Sequence, residues 1–264
     1  MKNKNEQLKV LFIDIETSLM SAYVFGVGEQ IINISDIQKG THRRILSFAA
    51  KWDNSDDIIQ YDLRSGLTDK NEKRLLTKLF KLMDKADIII GQNSDAFDIK
   101  IINDGFLVYN LGVPSPYRTI DTYKVSKKYF SPISHKLEYR SENLNKKYKK
   151  QKHSKFPGKL LWIECQNGNK DAWKEMADYN VKDVLSTEEY YNRIKPWIKT
   201  VNFNILNSNI ACPRCQSNSI QLRGKYVTKT AIYQRVHCQK CGSWSRTKTN
   251  LKPTKVNKTQ LVAL

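Results

Sequence analysis

The stretch VLFIDIETS, residues 10 to 18, begins as an apolar strand and closes on two carboxylates, Asp14 and Glu16, with Ile15 between them. Residues two apart in a strand face the same side, so both acids project together with Val10 and Phe12 behind them. Two adjacent carboxylates are costly to bury as anions without compensation. A strand that simply ends in solvent accounts for a lone Asp-x-Glu; other acids in suitable places change that weighing. The rest of the chain sharpens the question, because 45 Lys+Arg oppose 26 Asp+Glu for a formal charge of +19. Such a field attracts polyanions at long range and makes nucleic acid the leading partner. No stretch approaches the apolar length of a membrane span, which argues against a membrane partner. The opening MKNKNEQLKVLFIDIE is too short in apolar residues for a signal-peptide core, so a cytoplasmic location is expected.

Outward from that strand, RRILSFAAKW and DDIIQYDL read as further strands and NEKRLLTKLFKLMDKA as an amphipathic helix. DIIIG at 87–91 returns as a short buried strand, FDIKIINDGFLVYNLG reads as a helix ending at Gly112, and YRTID as another strand before helical stretches from Thr122 onward. Residues 171–194 form a long helix pattern that stops before Pro196. This order predicts an α/β fold with a mixed sheet flanked by helices. Residues 201–264 hold 11 Lys+Arg and no acid. The shift predicts a large domain over 1–200, a linker at 201–209, a small module at 210–250 and a basic tail at 251–264.

Two more acidic groups lie in the large domain. In GQNSDAFDIK, Asn93 or Ser94 is placed to cap a helix with Asp98 in its first turn, where the helix N-terminus favours a negative charge. In DYNVKD, Tyr179 and Asp183 are four apart and share a helix face.

Together these residues resemble the DEDDy exonucleases of the ribonuclease H-like superfamily. DIET is similar to that family's first motif, Asp-x-Glu on the first strand; NSDAFD to its second, Asn-x-x-x-Phe-Asp; and YNVKD to its third, Tyr-x-x-x-Asp. A histidine-type relative has His at the position of Asp178, so the tyrosine variant is the match. The stretches IDTYKVSKKYF, SHKLEYRSENLN and LWIECQNGNKDAWKEMADYNVKDV also resemble predicted 3′-to-5′ exonucleases of phages and bacteria. Coverage is most of residues 8 to 200, and residues 18–40 carry no family motif.

The resemblance implies a ribonuclease H-like fold and two Mg²⁺ or Mn²⁺ ions. Asp14 bridges both, Glu16 and Asp183 complete the site that holds the attacking water, Asp98 serves the other ion, and Tyr179 orients the water. The chemistry supplies an independent reason for the set. Four carboxylates carry a charge that two divalent cations neutralise, and oxygen-only ligation suits Mg²⁺ or Mn²⁺. An unperturbed phenol, with a pKa of about 10, is a poor base, so Tyr179 is assigned positioning. Asp95 reads as helix-terminal charge and Asp121 as an N-cap before Thr122. Neither His135 nor His153 has a metal-ligand companion.

Nine Lys+Arg and two acids lie between Lys136 and Lys159. The run is either a solvated face or, from its place between the second and third motifs, a phosphate-contacting strip, KKYKKQKHSKFPGK. Thr17, Asn93 and Lys136, in the matched stretches, are further expected nucleic-acid contacts. In the small module, Cys212 and Cys215 are followed after 22 residues by Cys238 and Cys241. Two Cys-x-x-Cys knuckles supply four tetrahedral ligands for one structural Zn²⁺, and the module resembles a zinc ribbon with antiparallel strands over 219–237. Tyr226, Tyr233 and Trp244 alternate there with Arg223, Lys225, Lys229, Arg235, Arg246 and Lys248, a composition suited to stacking on unpaired bases. A protein partner for the ribbon stays open. Cys165 reads as an apolar filler.

These readings converge on a metal-dependent 3′-to-5′ exonuclease, with single-stranded DNA preferred and RNA open. One rival is a structure-selective endonuclease acting on junctions or flaps. The other is a catalytically silent nucleic-acid-binding adaptor.

Overall fold

The apolar run Val10–Ile13 is buried on both faces, which places its strand in the middle of a sheet. In the computed structural model, which describes residues 7–39, 42–149, 155–206 and 210–252, this is β1 (Val10–Thr17). It is the centre of a five-stranded sheet ordered β3-β2-β1-β4-β5, with β2 (Ile45–Trp52), β3 (Ile58–Asp62), β4 (Ile88–Gly91) and β5 (Arg118–Asp121). The first three strands pair antiparallel, whereas β4 lies parallel to β1 and β5 parallel to β4. The sheet is therefore mixed, as expected.

Helices α1 (Asp69–Met83), α2 (Asp98–Val108), α3 (Thr122–Tyr129), α4 (Leu137–Leu144), α5 (Leu160–Gln166) and α6 (Lys170–Ile194) accompany it. Leu11, Ile13 and Ile15 of β1 share one core with Leu75, Leu76 and Leu79 of α1 and with Ile102 and Phe106 of α2. Phe12 points the other way and meets Tyr191 of α6 edge-on, with ring centroids 5.5 Å apart. The strand alternation thus turns Asp14 and Glu16 to the α6 side. Parallel strands gather ligands beyond their carboxyl ends, and β1, β4 and β5 all end at the same edge.

Two helix boundaries differ from expectation. Helix α2 stops at Val108 rather than Gly112, because Asn110 takes a left-handed conformation (φ 51°) and the chain turns back. Neither Asn93 nor Ser94 caps it, since its N-cap is Phe97. Those residues instead form a tight turn after β4, with Asn93 at φ 60°. A Cβ on Gly91 would sit 2.6 Å from Ser94 Cβ and 3.2 Å from the Ile13 carbonyl oxygen, so the turn needs glycine. Residues 18–39 have little regular structure and expose Tyr23, Phe25, Val27, Ile31 and Ile34.

The chain divides into two compact units, residues 9–191 and residues 192–264 together with 1–8. The second contains an antiparallel sheet of β6 (Ile220–Val227), β7 (Ile232–Cys238) and β8 (Trp244–Asn250), with β7 in the middle. Residues 201–206, part of the expected linker, are folded onto the first Cys knuckle. Phe203, which is buried, donates its N–H to the Pro213 carbonyl at 2.8 Å, and Arg214 reaches the Val201 carbonyl. Residues 207–209, and 253–264 of the expected tail, lie outside the described residues, as does His153. Among the described residues no helix is long and apolar enough to cross a membrane.

Candidate active site

The Asp-x-Glu pair on β1 meets one acid from α6. Carboxylate oxygens of Asp14, Glu16 and Asp183 all lie within 4.8 Å of one another, with Asp183 buried and the other two half-buried. Sequence separation is no obstacle, because the β1 face that carries the acids is the one turned to α6. Three anions at this spacing repel strongly unless a cation joins them, and an all-oxygen donor set suits a hard divalent ion. The residues present therefore fit a metal.

Asp98 stands beside this trio. It opens α2 and is 4 % exposed, and its Oδ1 accepts the Ile15 N–H at 3.0 Å. Burial pushes its carboxyl up to about 7, and the charges of Asp121 and Asp183 add to that, against the lowering effect of the Ile15 N–H. A cation at the site acts in the opposite direction. Tyr179, one turn before Asp183 on α6, is buried and meets Trp162 of α5 edge-on at 6.0 Å.

Three supporting residues escaped the sequence reading. Asn180 donates to Asp14 Oδ2 at 2.6 Å and to the Asp14 carbonyl at 3.1 Å, while its own oxygen accepts from Ser47 Oγ at 3.0 Å. The Trp162 indole donates to Glu16 Oε2 at 3.1 Å. Asn180 sits inside the YNVKD motif, and its proximity to Tyr179 is the signal that was available. Trp162 and Ser47 carry none, because their partners are over 130 residues away.

Asp121 caps α3 through the N–H groups of Tyr123 and Lys124, and it also accepts from the N–H groups of Asn93 and Asp95. It thereby ties the turn before Asp98 to α3. Asp95 lies in that turn rather than in a helix and pairs with Lys124 at 2.8 Å. Asn93 and Lys136 are exposed and Thr17 is half-buried. Cys165 is buried in the core, where burial pushes its thiol up to about 12.

In the second unit the four predicted cysteines converge. Cys212 and Cys241 sulfurs are 3.7 Å apart and Cys215 and Cys238 sulfurs 3.6 Å apart, with all four within 4.8 Å. None forms a disulfide. A tetrahedral site with metal–sulfur bonds of about 2.3 Å sets its sulfurs about 3.8 Å apart, so the spacing fits one metal ion. Ser243 Oγ lies 3.2 Å from both Cys212 and Cys241.

The ladder of this sheet pairs Tyr226 with Tyr233, Arg235 with Arg246 and His237 with Trp244. Cross-strand partners share a face, so these six side chains form one surface. The rings are partly covered: Arg246 lies 3.7 Å over Tyr233, Arg235 lies 5.1 Å over Trp244, and His237 packs 4.4 Å from Trp244. Lys225, opposite Gln234, immediately precedes Tyr226 and so faces away from this surface by strand alternation. Arg223 accepts the Arg235 Nε–H through its carbonyl at 2.8 Å. The surface thus combines guanidinium groups over aromatic rings with rings, Tyr226 and Trp244, that stay about half exposed.

A family model described as RNase_H superfamily matches residues 11–195, more than half of the chain. No curated protein matches it. Domains of that description are usually metal-dependent nucleases, which supports a hydrolase with a nucleic-acid substrate.

Proposed function

This chain belongs to the RNase H superfamily, and from that premise we propose that it is a metal-dependent 3′-to-5′ exonuclease of the DEDDy type, acting first on single-stranded DNA. The observation that carries the proposal is the convergence of Asp14, Glu16 and Asp183 within 4.8 Å, with Tyr179 one helical turn from Asp183. Two Mg²⁺ or Mn²⁺ ions, when bound, supply charge neutralisation and lower the pKa of water. Asp14, Glu16 and Asp183 hold them, with Asp98 as the fourth carboxylate. Asn180 orients Asp14, Trp162 orients Glu16, and Tyr179 orients the attacking water. The water oxygen bonds to phosphorus and gives up a proton to solvent, the bond from phosphorus to the 3′ oxygen breaks and that oxygen takes a proton to become the new 3′ hydroxyl, and a nucleoside 5′-monophosphate leaves.

In this reading the catalytic domain spans 1–200 and a ribbon holding one Zn²⁺ spans 210–250. Arg235 and Arg246, braced on Trp244 and Tyr233, are preorganised to meet phosphates. The test uses 5′-labelled linear and circular single-stranded DNA and linear RNA of one sequence with Mg²⁺ or Mn²⁺. A ladder shrinking from the 3′ end with the circle intact supports an exonuclease, and the faster linear strand identifies the preferred sugar. Cutting of the circle supports an endonuclease. Binding with no cleavage supports the adaptor.

A further inference from the structure

The loop after α4 is lysine-rich yet firmly built. The Glu189 carboxylate of α6 accepts three consecutive backbone N–H groups, those of Lys146 at 2.6 Å, Lys147 at 3.1 Å and Tyr148 at 2.8 Å. Asn145, 5 % exposed, donates to the Tyr148 carbonyl at 2.7 Å and to the Ser186 carbonyl of α6 at 2.9 Å. A solvated charge run has no need of such anchoring. Here the backbone donors are used internally and the lysine side chains are the groups left facing outward.

Those lysines line a hollow. Lys147, Tyr148 and Lys149 of the loop face Asp178 and Lys182 of α6 across a pocket of about 480 Å³. Lys147 Nζ lies 4.7 Å over the Tyr148 ring, which steadies the cation without neutralising it. Lys149 pairs with exposed Glu142 at 2.9 Å, a surface contact weak enough to yield to a phosphate. Three lysines and one acid line the hollow, which suits it to an anion once a phosphate takes the place of Glu142 on Lys149. On α6, Asp178 and Lys182 immediately precede Tyr179 and Asp183, so the hollow occupies the helix stripe about 100° round from the proposed catalytic one.

We infer that this hollow is a second nucleic-acid subsite, which holds backbone phosphates of the strand upstream of the nucleotide being removed. The inference rests on the nuclease reading for its role, but binding at the hollow is measurable without catalysis. Glu189 is a positioning residue: it fixes the loop that presents Lys147 and Lys149.

The test is fluorescence anisotropy of a labelled 20-nucleotide single strand with the full chain in EDTA, over a series of salt concentrations. For the Lys147→Ala/Lys149→Ala/Lys182→Ala variant the expected result is binding at least about tenfold weaker. Its log–log salt slope should be shallower by about 2, the loss of three phosphate contacts on a single strand. The corresponding triple Lys→Arg variant keeps the slope, and Glu189→Ala weakens binding with every lysine still present. Unchanged affinity and slope in the triple alanine variant, with circular dichroism showing it folded, overturns the inference. Cleavage by the wild type with Mn²⁺ is followed separately. Its absence rejects the nuclease reading while leaving the binding result to decide the subsite.

Discussion

Asn180 donates to Asp14 twice, to the carboxylate at 2.6 Å and to the backbone carbonyl at 3.1 Å, and Ser47 on the neighbouring strand holds the Asn180 oxygen in turn. The Asp14 carboxylate, which would help hold the ions, is therefore oriented by a side chain from the same helix that supplies Asp183. Partners of metal ligands typically contribute about 10–100-fold in metal affinity. Asn180→Ala should weaken Mn²⁺ binding by about that factor, measured by titration calorimetry. Wild-type affinity in the variant rules the orienting role out.

Trp162 serves Glu16 and Tyr179 together: its indole N–H donates to the carboxylate and its ring lies T-shaped against the phenol. Trp162→Phe removes the first and keeps an aromatic ring for the second. The Mg²⁺ concentration for half-maximal cleavage should rise about tenfold or more, as for other lost partners of metal ligands. An unchanged Mg²⁺ dependence assigns Trp162 to packing alone.

The readable and unreadable parts of this site separate by range. Asp14 and Glu16 were legible because strand periodicity puts them on one face, and Tyr179 and Asp183 because helix periodicity does the same. The mixed sheet followed from the order of apolar runs. Asn180 and Trp162 were not legible as partners, since 166 and 146 residues of chain separate them from the acids they bind. The second motif misled locally: Asn93 and Ser94 have capping side chains, but Gly91 forces a tight turn there and the helix starts at Asp98.

The small second unit is expected to draw its stability from a metal held by its four cysteines. Its sheet is mostly exposed on β6 and β8, with Val236 among its few buried apolar residues. One tightly bound Zn²⁺ per chain is expected by elemental analysis, and Cys215→Ser should abolish it and melt the β6–β8 signals in an NMR spectrum, since structural zinc supplies folding energy. A ribbon that stays folded at zero metal content contradicts this.

Asp62 gives a pH signature. Burial raises its pKa, but hydrogen bonds from Arg64 and Gln60 prevail and hold it below the ordinary 3.8. Arg64 reaches it at 2.6 Å and 2.8 Å. Because the folded value is depressed, the stabilisation is present above about pH 4 and is lost as pH falls through the folded value. Urea unfolding from pH 7 down to about pH 2 should show a loss of stability below the ordinary carboxylate range that Asp62→Asn lacks. Parallel pH profiles for the two proteins contradict the assignment.

The most direct test of the central claim is the rate of hydrolysis of 5′-labelled single-stranded DNA against Mn²⁺ concentration, for the wild type and for folded Asp183→Asn. The account predicts a saturable Mn²⁺ dependence, no cleavage in EDTA, and a rate at least about 10³-fold lower in the variant, as expected when a carboxylate is lost from the metal cluster that stabilises the transition state. Cleavage that persists in EDTA, or a variant as fast as the wild type, contradicts it.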